Sequence, residues 1–264
     1  MNKSEKNLEE LVDLKKHPIH AQTYRDQCKR TLDLDGVLTL PGFLNSHTVS
    51  SIVEEGNDHQ HLAFYTGSKH NIYLTESDSD FPATHPRNRE VLSSKGCITT
   101  DQIPQSSALH GLYNHELFRD FLCNVLEETQ LYEYADPLSS INLHYAGTGQ
   151  ELGWHFDNSA FAITLLVQKP DAGGIFEYVK DVRDAELGEM NYEQVQDILD
   201  GKTTVKTLAM DAGALVLFRG RNSMHRVTPV EGDVTRMLAV LAYNTQAGVS
   251  LSESARKTFY GRLG

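Results

Sequence analysis

The sequence predicts an α+β protein that is mainly β, a sandwich or barrel of short strands with flanking helices, preceded by a helical amino-terminal region. Two observations carry that expectation. Composition shifts once, near residue 135: before it apolar residues recur at helical spacing, and after it short β-branched and apolar runs alternate with Gly, Pro and Asp clusters. With 264 residues, 39% hydrophobic and 23% charged, the chain also has enough apolar content for one packed domain.

Taken in order, Met1 to His20 is charged and helical in pattern, with Leu8, Leu11, Val12 and Leu14 at helix-like intervals. Asn45-Ser46 precedes Val49, Ile52 and Val53 like a capped helix start. Between Phe64 and Ile103 the chain is rich in Ser, Asp, Thr, Asn, His and Pro without sustained periodicity, and reads as a long loop or lid. From Ser107 to Leu131 apolar residues return at helical intervals, predicting one or two helices. Beyond residue 135 the strands expected are Ser140–Tyr145, Phe161–Gln168, Ile175–Val179, Thr204–Met210, Ala214–Phe218 and Thr235–Tyr243, interrupted by one helical pattern at Leu187–Leu199. The reading is one domain: a helical and lid region over 1–135, a β core over 136–250, and a carboxy-terminal tail over 251–264.

Charge narrows the function. Asp and Glu total 36 against 24 Lys and Arg, a formal net charge of −12, which argues against nucleic acid or an anionic membrane surface as partner. No apolar run approaches a bilayer span and no signal peptide is evident, so the expectation is a cytoplasmic monomer or homodimer acting on a small molecule. Cys28, Cys97 and Cys123 match no paired metal or redox spacing and read as inert thiols.

The chemistry concentrates in Gly153-Trp154-His155-Phe156-Asp157 and, some seventy residues on, Ser223-Met224-His225-Arg226-Val227. On an extended strand residues i and i+2 share a face, so His155 and Asp157 can aim an imidazole and a carboxylate at one point. With His225 from a distant strand they make two imidazoles and one carboxylate, the ligand set of non-haem Fe(II) oxygenases, whose open face receives a cosubstrate and dioxygen. His225 and Arg236 flank the turn Pro229–Asp233, which reads as a hairpin placing both side chains on one face. Arg236 would then clamp the distal carboxylate of a dicarboxylic cosubstrate. Arg226, one residue from His225, points away and is expected to be structural.

Asn142, Tyr145, Gly147 and Gly149 followed by His155 and Asp157 resemble the Fe(II)/2-oxoglutarate-dependent dioxygenases. Gly173-Gly174, the run Gly213 to Phe218, the run His225, Val227, Pro229, Val230, and Arg236 belong to the same resemblance, which covers residues 140 to 245. Within that superfamily the chain is most similar to the standalone group that hydroxylates or halogenates free amino acids, lysine among them. The resemblance implies a double-stranded β-helix, or jelly roll, with Fe(II), 2-oxoglutarate and dioxygen at its mouth. The implied reaction is oxidative decarboxylation of 2-oxoglutarate to succinate and CO₂, coupled to hydrogen abstraction from an unactivated C–H. Halogenating members replace the carboxylate ligand by a small residue so that chloride can coordinate; this chain keeps Asp157, which favours hydroxylation or desaturation.

Around that centre, Asn142 and Tyr145 are candidates to hydrogen-bond the cosubstrate, with packing roles as the alternative. Specificity is expected in Lys69–Tyr73, the lid to Arg89, Asn158 and Glu177, while His70, His85, His110 and His144 have no ligand spacing. Glu177 and Arg183 are either an ion pair or substrate contacts. Two other functions share the motif: a zinc hydrolase with the same triad, and a non-catalytic jelly-roll binding module. A cavity-facing Arg236 disfavours the first and an intact triad the second.

Overall fold

The computed structural model describes residues 8–264; the first part of the predicted amino-terminal helix lies outside them. Four-residue helix α1 (Leu8–Leu11) is followed by α2 (Gln22–Asp35), strand β1 (Val37–Leu40) and α3 (Ser46–His59). Helix α2 ends where Gly36 takes a left-handed φ of 73° and its N–H donates to the Leu32 carbonyl. Helix α3 starts at Ser46 as predicted, but the Asn45 side chain donates to the Glu9 carbonyl instead of capping. Its buried stripe, Thr48, Ile52 and Gly56, faces the sheet.

The predicted loop at 64–103 is a correction. Most of it is a hairpin of two long antiparallel strands, β2 (Phe64–Asn71) and β3 (Glu90–Ile98), paired without a break from Phe64↔Cys97 to Asn71↔Glu90. Both faces of β2 are polar or wet, so the strand carries no alternation of hydrophobicity to read. Only the connection is irregular, and it is tied down. The Asn88 side chain donates to the carbonyls of Asp78 and Phe81, Phe81 stacks on His85 with ring centroids 4.3 Å apart, and Arg89 meets Asp200 at 2.6 Å.

Helices α4 (Ala108–Tyr113) and α5 (Glu116–Leu126) fulfil the predicted helical stretch. Ser107 accepts from the Leu109 N–H to start α4, and α5 buries Phe118, Phe121, Leu122 and Val125, the i, i+3, i+4, i+7 stripe. Each such side chain contributes about 1.5–3 kcal/mol by burial. The β core follows: β4 (Ile141–Ala146), β5 (Leu152–His155), β6 (Ala162–Gln168), β7 (Ala172–Gly173) and β8 (Phe176–Val179). After helix α6 (Tyr192–Leu199) come β9 (Lys206–Leu208), β10 (Ala214–Phe218), β11 (Met224–Val227), β12 (Val230–Glu231) and β13 (Arg236–Leu241). The presumed tail contains helix α7 (Glu253–Tyr260), capped by the Ser252 hydroxyl accepting from the Ala255 N–H.

Eleven of these strands form one antiparallel sheet in the order β1-β10-β6-β13-β4-β3-β5-β11-β8-β9, with β2 on β3, curled so that its ends wrap a common cavity, while β7 and β12 pair separately. This is the jelly-roll core with flanking helices that the sequence predicts. The helical layer packs on one face through Ile141, Leu143, Leu165, Leu217, Met237 and Ala239. Among the described residues no helix is long and apolar enough to cross a membrane.

The predicted hairpin between His225 and Arg236 does not exist. Strand β11 pairs with β5 and β8, while β13 pairs with β4 and β6; the intervening β12 pairs with β7. The connection crosses from one part of the curled sheet to another, which is how jelly rolls link successive strands. Both side chains nevertheless line the same cavity.

Candidate metal centre and its cavity

His155 closes β5 directly opposite His225 of β11, with the two rings 4.1 Å apart centre to centre. Asp157, two residues on, lays its Oδ1 3.7 Å from His155 Nε2 and 3.6 Å from His225 Nε2. One ligand atom from each residue lies within 4.8 Å of the other two. Each imidazole is oriented by a carbonyl two residues before it: His155 Nδ1 donates to Gly153 at 2.8 Å and His225 Nδ1 to Ser223 at 3.1 Å. A carbonyl only accepts, so Nδ1 of each ring carries a proton and Nε2 is the atom that faces Asp157.

Electrostatics keep the carboxylate ionised. Burial pushes the Asp157 carboxyl upward, but the His225 and His155 rings outweigh it and hold the group well below the usual carboxylate range. Burial, then His225, pushes His155 down. An ionised carboxylate and a neutral imidazole are the forms that ligate a cation. Asp157 Oδ2 is buried with no hydrogen-bond partner, an orphaned acceptor that a cation would satisfy. The residues therefore fit a divalent metal.

Gly220 makes the carboxylate's place. Its carbonyl accepts from the Asp157 N–H at 3.0 Å, and a Cβ on Gly220 would collide with Asp157 Oδ2. Gly220→Ala is expected to lower metal affinity about 10- to 100-fold by displacing that ligand. Added to an Asp157→Gly protein, the same change should cost little more. Metal titration of the single and double variants measures both, and additive losses would contradict the contact.

The cavity holds about 360 Å³. One wall is apolar, built of Phe161, Ile163, Phe176, Phe218, Leu238 and Val240. Arg236 also lines it, 6% exposed and, among the described residues, with no hydrogen-bond or ion-pair partner; burial pushes its guanidinium down to about 10. Gly174, at φ 58°, gives the arginine stem its path, since a Cβ there would stand 3.0 Å from Arg236 Cδ.

Two predicted cosubstrate residues are corrected. Tyr145 and Asn142 are three apart on β4, so they cannot both face the cavity, and neither lines it. Tyr145 points to the helical side, fully buried, and its hydroxyl donates to the Gly56 carbonyl at 2.8 Å. Asn142 donates to the Leu138 and Ile141 carbonyls and accepts from the Tyr260 hydroxyl of α7. Tyr145→Phe should therefore cost about 1–3 kcal/mol by leaving a buried carbonyl unpaired, with cosubstrate affinity unchanged; denaturant unfolding and a 2-oxoglutarate titration separate the two effects.

The cavity-facing residue of β4 is His144, to which Lys95 of β3 donates at 3.1 Å. Burial, then the Lys95 and Arg236 cations, holds His144 well below its usual value, so its Nδ1 accepts as a neutral ring. Burial likewise pushes the Lys95 ammonium down. Neither residue was marked by spacing to the triad.

Of the expected specificity residues His70 and, from the lid, Leu74 line the cavity; His70 Nε2 meets Ser93 Oγ at 2.6 Å. Tyr73 is buried and donates to the Met190 carbonyl, Glu177 pairs with Arg226 at 2.6 Å, and Lys69 and Asn158 face solvent. Arg226 lies over the Trp154 ring, 4.9 Å from its centroid, pointing away from the metal centre as expected. The guanidinium of Arg183 covers the Phe156 ring at 4.2 Å, so Glu177 and Arg183 are not a pair.

The fold is a jelly roll, the fold of solved 2-oxoglutarate-Fe(II) oxygenases, and it carries a centre of two histidines and one carboxylate. The oxidoreductase of the 2OG-Fe(II) oxygenase family from Burkholderia pseudomallei matches at 13% identity and TM-score 0.54, covering 86% of this chain and 93% of its own. The non-heme alpha ketoglutarate dependent epimerase SnoN of nogalamycin biosynthesis matches at 10% and 0.57, covering 85% and 84%. A Trichoplax adhaerens prolyl hydroxylase matches at 11% and 0.55, covering 84% and 89%. At such identities the likeness is one of fold. The chain belongs to the halogenase D family, whose model matches residues 20–259. No curated protein matches it.

Proposed function

We propose that the chain, acting as one domain, is an Fe(II)- and 2-oxoglutarate-dependent oxygenase that hydroxylates an unactivated C–H of a free amino acid. Asp157 carries the reading. Its carboxylate stands between the two imidazoles, where halogenating members have a small residue that leaves room for chloride, and Gly220 is shaped around it.

When bound, iron supplies dioxygen activation: one oxygen atom enters succinate as 2-oxoglutarate loses CO₂, and the other enters the substrate as a hydroxyl. The chain supplies position. His155, Asp157 and His225 would hold the metal on one face and leave the other toward the cavity. Arg236 would take the distal carboxylate of 2-oxoglutarate, replacing the counter-ion it lacks. The apolar wall excludes water from the reacting C–H.

Lysine heads the substrate candidates because of the family resemblance and the surplus of acids. The described cavity lining contains no carboxylate besides Asp157, so uncharged amino acids belong on the same panel. The test is succinate formation and product mass with Fe(II), air, chloride and a panel of amino acids, peptides and nucleotides. The expected product gains one oxygen, or loses two hydrogens by desaturation. A chlorinated product, or turnover confined to peptides or nucleotides, would overturn the reading.

A further inference from the structure

The inward face of the β2–β3 hairpin carries Thr66, Ser68 and His70 from one strand and Ser93 and Lys95 from the other, with Thr66 opposite Lys95 and Ser68 opposite Ser93. It is the polar wall of an otherwise apolar cavity. Lys95 stands one residue before the Gly96↔Tyr145 pair of β3 and β4, and Arg236 is opposite Ala146 on the far side of β4. Two cations thus enter the cavity from either side of one strand.

Their needs differ. A divalent metal and Arg236 together offset the Asp157 carboxylate and the two carboxylates of 2-oxoglutarate. Lys95 is left over. Its one side-chain polar contact among the described residues, His144, is a neutral ring, and a half-buried ammonium without a counter-ion is costly.

We infer that Lys95 binds the carboxylate of the primary substrate, with Thr66, Ser68, His70 and Ser93 lining the bed above it. His144, held neutral, accepts one ammonium proton and leaves the other donors for the ligand. The inference rests on the amino-acid reading above and deepens it: the substrate would be gripped by its acid end against the hairpin, presenting its side chain toward the metal.

Calorimetry on the Fe(II)- and 2-oxoglutarate-loaded protein without oxygen tests this apart from turnover. Each amino acid is compared with the amine that lacks its carboxylate, in wild type, Lys95→Met and Lys95→Gln, with circular dichroism verifying that at least one variant keeps its fold. Wild type should bind the acid about 10- to 100-fold tighter than the amine. Both variants should lose that preference, while 2-oxoglutarate affinity stays within about threefold. A preference that survives in both variants overturns the inference, as does a loss that falls on 2-oxoglutarate instead. If wild type binds no amino acid, the amino-acid reading fails, and the same comparison over other small carboxylic acids decides Lys95. Acids bound without dependence on Lys95, or no acid bound at all, count against it.

Discussion

Asp157→Gly is expected to reduce Fe(II)-dependent formation of the oxygenated product by more than about a hundredfold, since even groups that only orient metal ligands are worth 10- to 100-fold. The buried Oδ2 has no partner and Gly220 borders it, so removing the carboxylate leaves a void beside the two imidazoles instead of exposing an unpaired protein group. Apart from the metal the site is then more cationic, with Lys95 and Arg236 unopposed. A halide becomes a suitable third ligand. In chloride the variant should yield whatever residual product it makes with chlorine in place of hydroxyl. Mass spectrometry of wild-type and variant reactions in chloride and in a chloride-free buffer checks this. Undiminished hydroxylation by the variant would remove Asp157 from the ligand set.

The second large effect has two opposite signs in one protein. Arg236→Leu deletes a buried guanidinium that has no partner among the described residues. The ligand-free variant should be more stable than wild type by about 1–3 kcal/mol, some 2–4 °C in Tm for each kcal/mol, because an uncompensated charge gives way to apolar packing against Leu238 and its neighbours. Its affinity for 2-oxoglutarate should fall about tenfold to more than a hundredfold, the equivalent of a hydrogen bond to a charged group, roughly 1.5–3 kcal/mol. Thermal melts with and without 2-oxoglutarate read both. A variant that is less stable without ligand, yet still shifted by it as wild type is, would assign Arg236 to structure.

What could be read from the chain follows from where each residue's neighbours are. Ala214–Phe218 was readable to the residue because all five positions of β10 are buried, leaving an unbroken apolar run. His155 and Asp157 were readable because i and i+2 share a face whatever the rest of the sheet does. Arg236 reached the right cavity by a wrong route, since two strands that never pair can still both curl around one space. Tyr145 and Asn142 were matched to a motif without regard to their odd separation, and strand geometry sent them to opposite faces. Helix α2 was missed because only Cys28 and Leu32 of its fourteen residues are buried, too few to mark a stripe. The β2–β3 hairpin was missed because a strand that faces solvent on one side and supplies the cavity's polar wall on the other has no apolar side to read.

That hairpin has a consequence for how such a protein diversifies. All its residues, 64 to 98, precede the first metal-facing residue, 155, and the strand that carries His155 shares one ladder pair with it, Ser93↔Leu152. One wall of the reaction chamber is thus written on a separate, continuous piece of chain. Exchange of Thr66, Ser68 and Lys95 rewrites the chamber's polarity at positions that touch neither a ligand nor its orienting residue, whereas Ser93 accepts from the Gly153 N–H and His70 meets the His155 ring edge-on. Selection for a new substrate can proceed along the hairpin by single steps that leave the metal centre's contacts in place, and a library confined to 66, 68 and 95 samples that route directly.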